Sequence, residues 1–294
     1  MKKPIFTGSC TAMVTPYSDY GIDYAAVARL IDFQAANNTD ALLISGTTGE
    51  NATQSFEEHS TLLQYAAKKN NGRMRMIAGI GSNNTQTALE YAKIAEHAEY
   101  DGVLMVTPYY NKTTQSGLAE HFTYVADRIK IPMILYNVPS RTGIGFTADT
   151  YRILSQHPNI NGVKEASGDF TLFSKTRCLC GEELHVWCGN DDQTVAMMAL
   201  GAKGVISVAS NIVPKAIAEL CRACINGDFT EAQRIHLKYG TLFSALFVET
   251  NPIPVKTAMN LMGMQVGQFR LPLVNMQSKN KEFLAEQLQA LSLL

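Results

Sequence analysis

The sequence predicts a (β/α)8 barrel of the α/β class with a C-terminal helical extension. Eight short β-rich runs alternate with segments of helical periodicity, which is the pattern of a parallel sheet. Eight strand–helix units within one chain of this length are typical of a closed barrel, whereas an open doubly wound sheet usually has fewer strands. Beyond the eighth run the pattern is helical only, which predicts the extension.

The predicted strands are rich in β-branched and apolar residues and are separated by helical segments. They cover residues 10–14, 41–45, 74–80, 103–107, 133–137, 161–164, 185–188 and 204–208. Helical spacing is clearest at residues 24–36, 56–69, 85–99 and 116–128, and later at 214–226, 229–247, 254–262 and 279–291. Pro252 and Pro254 should set a turn and a new helix start. We expect a catalytic barrel over residues 1–225 and a helical appendage over 226–294.

A nucleotide cofactor is not expected. Gly79 and Gly81 follow the third predicted strand, but Asn84 stands where the dinucleotide fingerprint requires its last glycine. No cluster of residues has metal-ligand spacing, and Cys221 and Cys224 lie in a helical pattern without a second pair or histidine ligands. The residues therefore predict no nucleotide cofactor and show no pattern of a metal site.

Composition narrows the class of protein further. The 294 residues are 46% hydrophobic and 17% charged, enough apolar material for a large core, and no Pro/Gly/Ser-rich linker divides them. A formal net charge of −1 without a basic stripe argues against nucleic acid as a partner. There is no sustained apolar signal segment and no stretch of membrane-spanning length. We expect a reduced, cytoplasmic protein that binds no membrane.

Lys164 is the most informative candidate residue. It ends an apolar run, where a lysine can be buried, and a desolvated amine is shifted toward the neutral form that attacks carbonyls. A lysine at a strand end more commonly reaches for water, so the residue alone does not establish catalysis. The residues at the other strand ends indicate whether Lys164 is catalytic.

Those neighbours form a coherent set, because catalytic groups of such barrels lie at the carboxyl ends of the strands. The second strand leads into Thr47 and Thr48, the fourth into Tyr109 and Tyr110, and the fifth into Tyr136 and Arg141. Each alone could be an ordinary turn, surface or loop residue. Together with Lys164 they place an amine, phenols, hydroxyls and a guanidinium at one end of one predicted barrel.

The same residues carry a resemblance to a known family. The segments GTTGE at 46–50, TPYYNK at 107–112, YNVPSRTG at 136–143, GVKEASGD at 162–169 and GVISV at 204–208 resemble the signatures of the dihydrodipicolinate synthase family. The resemblance spans residues 8 to 272. This family belongs to a superfamily of pyruvate-dependent lysine aldolases and lyases that includes N-acetylneuraminate lyase. It implies a barrel enzyme of lysine and diaminopimelate biosynthesis, usually a homotetramer built as a dimer of dimers.

By this resemblance, Lys164 condenses with pyruvate and the resulting enamine attacks L-aspartate 4-semialdehyde to give 4-hydroxy-tetrahydrodipicolinate. Tyr136, Thr48 and Tyr110 match the family's proton relay, in which the last tyrosine comes from the neighbouring subunit. Thr47 and Thr48 would hold the carboxylate of pyruvate, and Arg141 that of the semialdehyde. Gly189 and the carbonyl of Ile206 match positions that line the pocket.

Two alternatives stay open at this point. One is a sugar-acid lyase such as N-acetylneuraminate lyase, which shares the lysine and the tyrosine; Arg141 favours the synthase. The other is a non-catalytic keto-acid binding protein, which has no need for a lysine together with a complete proton relay.

The resemblance also suggests a regulatory site for lysine. The positions that match it are Asn51, Ala52, Phe56, His59, Asn83, Thr87 and Tyr109. Two of them depart from the lysine-inhibited members, which carry a histidine where this chain has Phe56 and an acidic residue where it has Thr87. The carboxylate expected to meet the ammonium of lysine is therefore absent. We expect lysine to inhibit weakly or not at all.

Overall fold

The computed structural model describes residues 2–294 and confirms the predicted barrel. Eight parallel strands close in the order β1-β10-β9-β8-β7-β6-β5-β4. They are β1 Gly8–Ala12, β4 Ala41–Ile44, β5 Arg75–Gly79, β6 Gly102–Val106, β7 Met133–Asn137, β8 Ile160–Glu165, β9 His185–Cys188 and β10 Gly204–Ser207. The small antiparallel pair β2 Tyr17–Ser18 and β3 Gly21–Ile22 lies outside the barrel and was not predicted. Two residues per strand give too short a pattern to detect.

The helices have the following bounds. Around the barrel lie α1 Tyr24–Ala36, α2 Phe56–Asn70, α3 Thr85–His97, α4 Gln115–Ala126, α5 Pro139–Thr142, α6 Ala148–Ser155, α7 Phe170–Cys180, α8 Thr194–Ala199 and α9 Pro214–Ile225. The chain continues in α10 Phe229–Ala245, α11 Ile253–Leu261 and α12 Ser278–Ala290. Asp23, Ser55, Asn84 and Thr114 cap the helices that follow them, each accepting a backbone N–H. As expected, a new helix starts at Ile253, beside Pro252 and Pro254.

Several element ends differ from the prediction. The first strand is Gly8–Ala12 rather than 10–14, because the buried residues Met13 and Val14 extend the apolar run past the end of the strand. The loop predicted after β7 begins with the short helix α5, which Pro139 starts at its first position. Such one-turn helices have no periodicity to detect.

Two apolar layers surround the strands. The interior of the barrel is filled by side chains such as Leu43, Leu104, Trp187 and Ile206, with Phe6 stacked on Trp187 at a ring-centroid distance of 5.0 Å. The larger cluster lies between the strands and the helices. The helix α9 packs on β1 and β10, and α10 packs on α9 and α12. Within residues 2–294, no helix is both long enough and apolar enough to span a bilayer.

Candidate active site

A cavity of about 190 Å³ opens at the carboxyl ends of the barrel strands. Its lining combines apolar strand residues with polar groups from the loops that follow them. The lining residues are Ser45, Gly46, Thr47, Asn51, Ala52, Gly79, Gly81, Leu104, Val106, Tyr109, Tyr136, Val138, Arg141 and Thr142. A concave, mainly apolar pocket with a few polar groups is the usual form of a small-molecule site.

Lys164 lies on β8 and is only 4% exposed. It is the register partner of Tyr136 on β7, and its Nζ lies 4.6 Å from the centroid of the Tyr136 ring. Tyr136 belongs to the apolar interior of the barrel, so the pairing directs the amine inward. Among residues 2–294 the amine has no hydrogen-bond or salt-bridge partner, although Asp191 is close enough to interact with it electrostatically. It is therefore a buried amine in contact with Tyr136, which lines the cavity, although Lys164 itself is not among the lining residues.

A buried carboxylate stands behind Lys164 and was not predicted. Glu165 accepts hydrogen bonds from Asn137 Nδ2 at 3.0 Å, from the Tyr151 hydroxyl at 2.9 Å and from the backbone N–H of Ser167 at 2.8 Å. Burial raises the pKa of Glu165, and these hydrogen bonds oppose the rise. Because they join the ends of β7 and β8, they fix the two strands that carry Tyr136 and Lys164.

The turn after β4 holds both predicted threonines. Thr47–Gly49 forms a single 3₁₀ turn, and Thr48 within it is 2% exposed. The hydroxyl oxygen of Thr48 accepts a hydrogen bond from Asn251 Nδ2 at 3.0 Å. Asn251 lies just before α11, about two hundred positions from Thr48 in the chain, so only the fold brings the two together.

Asn251 also contacts the predicted arginine. Arg141 lies in α5 and is exposed, and its Nη2 donates to the carbonyl oxygen of Asn251 at 3.1 Å. This bond holds the guanidinium at the rim of the cavity. Sequence reasoning gave Asn251 no role, because an asparagine before a proline is an ordinary turn signal.

The remaining candidates differ in how close they lie to the cavity. Gly189 directly follows β9 and donates its N–H to Glu165 O at 2.8 Å, while Ile206 lies in β10 and is fully buried in the interior. Tyr109 lines the cavity, but Tyr110 is 92% exposed. Tyr110 also has φ 69°, the left-handed region that a bulky residue rarely adopts. Within this chain, Tyr110 does not reach the site.

The positions of the suspected lysine site gather at one side of the cavity. Asn51 and Ala52 line it with Tyr109, and the N-terminal half of α2 carries Phe56 and His59. His59 and Phe56 both stack on Tyr91 of α3, with ring centroids 3.9 Å and 5.1 Å away.

Other contacts at this side are polar. His59 Nε2 lies 2.8 Å from Gly79 O, and burial lowers the pKa of His59 to about 4. The carbonyl of Asn83 accepts from Asn111 Nδ2 at 2.9 Å, and Thr87 lies in the first turn of α3. Tyr91 was not among the predicted residues, although its helical spacing places it on the buried face of α3.

The fold and the buried amine define a (β/α)8 barrel with a candidate nucleophile inside it, and the comparisons with known proteins identify it as a lyase. The model of the dihydrodipicolinate synthetase family matches residues 5–291, and the chain belongs to this family. The 4-hydroxy-tetrahydrodipicolinate synthase of Thermoanaerobacter sp. (strain X514) is 47% identical over 292 residues, which cover 99% of this chain and 98% of the relative.

Solved structures agree with this assignment. The dihydrodipicolinate synthase from Aquifex aeolicus superposes with a TM-score of 0.96 at 46% identity, covering 98% of this chain and 99% of that one. The chloride-inhibited dihydrodipicolinate synthase from Acinetobacter baumannii, complexed with pyruvate, has a TM-score of 0.96 at 38% identity and covers 98% of this chain and 100% of that one.

Proposed function

We propose that this chain condenses pyruvate with L-aspartate 4-semialdehyde to give 4-hydroxy-tetrahydrodipicolinate in lysine and diaminopimelate biosynthesis. The observation that carries the proposal is the buried amine of Lys164 in contact with Tyr136 inside the barrel. Membership of the dihydrodipicolinate synthetase family supports the choice of substrates. An amine without a salt-bridge partner has the environment that a Schiff-base nucleophile needs.

The reaction begins when the neutral amine of Lys164 attacks the ketone carbon of pyruvate and water leaves, giving an imine. Loss of a methyl proton turns the imine into an enamine, whose terminal carbon forms the new C–C bond to the aldehyde of the semialdehyde. The aldehyde oxygen takes up a proton and becomes the hydroxyl of the product. The amine of the second substrate then attacks the imine carbon and displaces Lys164, which closes the ring. The net change is the union of the two substrates with loss of one water.

These steps need proton donors and acceptors beside Lys164, and we assign them to Tyr136, Thr48 and Tyr110. The hydrogen bond from Asn251 supports the assignment of Thr48. Since the Thr48 oxygen accepts from Asn251, its own hydrogen is available to donate to a second oxygen. A hydroxyl held in this way can relay a proton from one partner to another.

Two carboxylates have to be held. The amides and hydroxyls of Thr47 and Thr48 would hold that of pyruvate, because a 3₁₀ turn with successive N–H groups is a suitable anion cradle. Arg141 would hold that of the semialdehyde with its planar fork. The backbone at Gly189 and Ile206 would complete the wall of the pocket. No step in this scheme calls for a cofactor or a metal.

We further propose a homotetramer, a dimer of dimers, in which Tyr110 completes the proton relay of the neighbouring subunit. The exposed and strained position of Tyr110 supports this assignment, because its side chain has no hydrogen-bond partner among residues 2–294 that would explain the strain. A cytoplasmic location fits the six cysteines, which are all free thiols.

Reductive trapping tests the proposed function. The protein is incubated with pyruvate and borohydride, and the modified peptide is identified by mass spectrometry, while turnover is measured with the semialdehyde and with N-acetylneuraminate. We expect a reduced adduct on Lys164 and turnover of the semialdehyde alone. Lys164→Ala should lose both adduct and turnover, and Lys175→Ala, which removes an exposed lysine on α7, should retain both. Turnover of N-acetylneuraminate would instead identify a sugar-acid lyase, and an unmodified Lys164 would contradict the mechanism.

A further inference from the structure

A fully buried ion pair lies directly behind the turn that carries Thr47 and Thr48. Lys256 Nζ is 2.7 Å from Glu50 Oε1, and both side chains have 0% exposure. The same amine donates to Gln268 O at 2.7 Å and to Thr15 O at 3.2 Å, so three acceptors surround it. Desolvation lowers the pKa of Lys256, and the carboxylate of Glu50 opposes that change.

Such a pair is costly to bury. Two charges lose their hydration, and apolar side chains of similar volume would fill the same space without that loss. The pair also lies against the rings of Tyr17 and Phe269, at 4.8 Å and 5.1 Å from Nζ, so an apolar filling would find apolar neighbours. Stability alone therefore does not account for a lysine and a glutamate here.

The position of Glu50 indicates what the pair fixes. Glu50 immediately follows the 3₁₀ turn Thr47–Gly49 and starts the next turn, with φ 55° in the left-handed region. Its N–H donates to Thr47 O, and its second carboxylate oxygen accepts from Arg270 N at 3.3 Å. Since both oxygens of its side chain are hydrogen-bonded, Glu50 restrains the backbone at the end of the 47–49 turn.

A second contact comes from the same stretch of chain as Lys256. Asn251 lies five positions earlier, and its side chain donates to Thr48 Oγ1 at 3.0 Å. The segment 251–256 thus holds the side chain of Thr48 and, through Glu50, the backbone of the turn. Both contacts join residues more than two hundred positions apart.

We propose that Lys256 and Glu50 are positioning residues that set the geometry of the 47–49 turn for the carboxylate of pyruvate. This inference rests on the proposed function, because the turn matters to catalysis only if pyruvate binds there. The pair acts through the turn and does not touch the substrate. Its loss should weaken the binding of pyruvate and its conversion to the imine, and should affect the second substrate much less.

The test is the double variant Glu50→Met/Lys256→Met. Replacing both charges by apolar side chains of similar length leaves no unpaired charge, but the carbonyls of Thr15 and Gln268 and the N–H of Arg270 lose a partner, so the protein should fold with a lowered Tm. The readout is the pyruvate concentration that gives half-maximal borohydride trapping on Lys164. We expect it to rise about tenfold or more, because small displacements of a binding group weaken it strongly. The KM of the semialdehyde should change by less than about threefold.

Lys2→Met is the matched control. Lys2 donates to four backbone carbonyls at the opposite end of the barrel, so its loss removes an equally well-bound lysine without touching the turn. It should lower the Tm and leave the pyruvate dependence of trapping unchanged. If the double variant does not fold, Glu50→Gln/Lys256→Gln, which removes both charges but keeps groups that can hydrogen-bond, is measured in its place with the same expectation.

The possible outcomes separate this inference from the proposed function. If the wild type forms no adduct with pyruvate, the proposed function fails. If the wild type is trapped and the double variant is trapped with the same pyruvate dependence, the proposed function stands and the positioning role is wrong. A tenfold shift in the double variant and none in Lys2→Met would support it.

Discussion

The ability of the Thr48 hydroxyl to donate a proton depends on the direction of one hydrogen bond. Asn251 donates to it, which leaves its own hydrogen free to donate to a second acceptor. Lys164 has the opposite feature, since its amine lies against the Tyr136 ring and no carboxylate of the described residues 2–294 forms a salt bridge with it. A threonine that has a fixed partner and a lysine that has none are suited to relaying protons and to attacking a carbonyl, respectively.

Replacing Arg141 by lysine tests whether Arg141 holds the carboxylate of the second substrate. Arg141→Lys keeps the positive charge but loses the planar fork that binds a carboxylate through two hydrogen bonds. We expect the KM of the semialdehyde to rise roughly tenfold, as about 1.4 kcal/mol of binding is lost, while that of pyruvate changes less than about threefold. Steady-state kinetics with each substrate varied in turn measures both values.

A matched control separates the effect at Arg141 from a general effect of replacing arginine by lysine. Arg152→Lys, an exposed residue on α6, makes the same chemical change away from the cavity and should leave both constants unchanged. An increase in the KM of pyruvate as large as that of the semialdehyde would show that Arg141 does not serve the second substrate specifically.

At the scale of elements, close contacts where the strands end hold the site together. The backbone of Gly189 meets the end of β8, and a Cβ built there would lie 2.6 Å from Ala166 Cβ and 2.9 Å from Glu165 O. Gly189→Ala should therefore displace the strand that carries Lys164 and destabilise the protein by about 1–3 kcal/mol. Gly240 in the middle of α10 has open space around a Cβ, so Gly240→Ala should stabilise by about 0.5–1 kcal/mol.

Thermal unfolding of the two variants beside the wild type measures this difference. The expected result is a lower Tm for Gly189→Ala and a higher one for Gly240→Ala, from the same change of residue. Equal shifts in the two variants would mean that the contact of Gly189 with the end of β8 does not constrain the residue.

The pairing of α2 with α3 bears on regulation. Phe56 and His59 stack on Tyr91, and neither Phe56 nor Thr87 supplies a charge for the ammonium of lysine. We expect lysine to inhibit weakly or not at all, because the ammonium would lose its hydration without gaining a carboxylate. The double variant Phe56→His/Thr87→Glu restores both polar groups and should increase inhibition at least about tenfold, as expected for a charge-assisted pair.

Inhibition curves for lysine, measured on turnover of the semialdehyde, test this expectation. Phe56→Leu/Thr87→Gln is the matched control, since it alters the same positions without adding a charge. Half-maximal inhibition of the wild type at submillimolar lysine would contradict the prediction, whatever the double variant does.

At the scale of the whole molecule, Tyr110 is the residue that a single chain leaves unexplained. If it serves the neighbouring subunit, two inactive variants should complement each other when their subunits mix. In a hybrid of one Tyr110→Phe subunit and one Lys164→Ala subunit, the Tyr110→Phe subunit keeps its own Lys164. Its site receives an intact Tyr110 from the Lys164→Ala subunit. We expect activity above the mean of the separate variants after the subunits have been exchanged.

The control uses two residues that act in one chain. A hybrid of one Tyr136→Phe subunit and one Lys164→Ala subunit has no complete site, because Tyr136 and Lys164 lie on adjacent strands of the same barrel. It should show no gain. A Tyr110 hybrid that also gains nothing, although mass spectrometry shows mixed oligomers, would exclude the assignment of Tyr110 to the neighbouring subunit.

Sequence periodicity was sufficient for the architecture of the molecule. Alternating strand and helix patterns are local signals, repeated eight times, and the physical rules of parallel sheets allow few ways to arrange them. The ends of elements were predicted less accurately. At β1 the apolar run continues past the end of the strand, and the one-turn helix α5 has no periodicity to detect.

Local patterns in the chain were enough to predict the barrel and the candidate groups at its strand ends, because such groups share one end of a barrel of this type. Only the tertiary structure revealed the residues that hold these groups in place. Asn251 and Lys256 reach the turn at Thr48 and Glu50 across more than two hundred positions, and Glu165 joins two strands through Asn137 and Tyr151. Their contacts are created when the barrel closes, so no local pattern in the chain reports them.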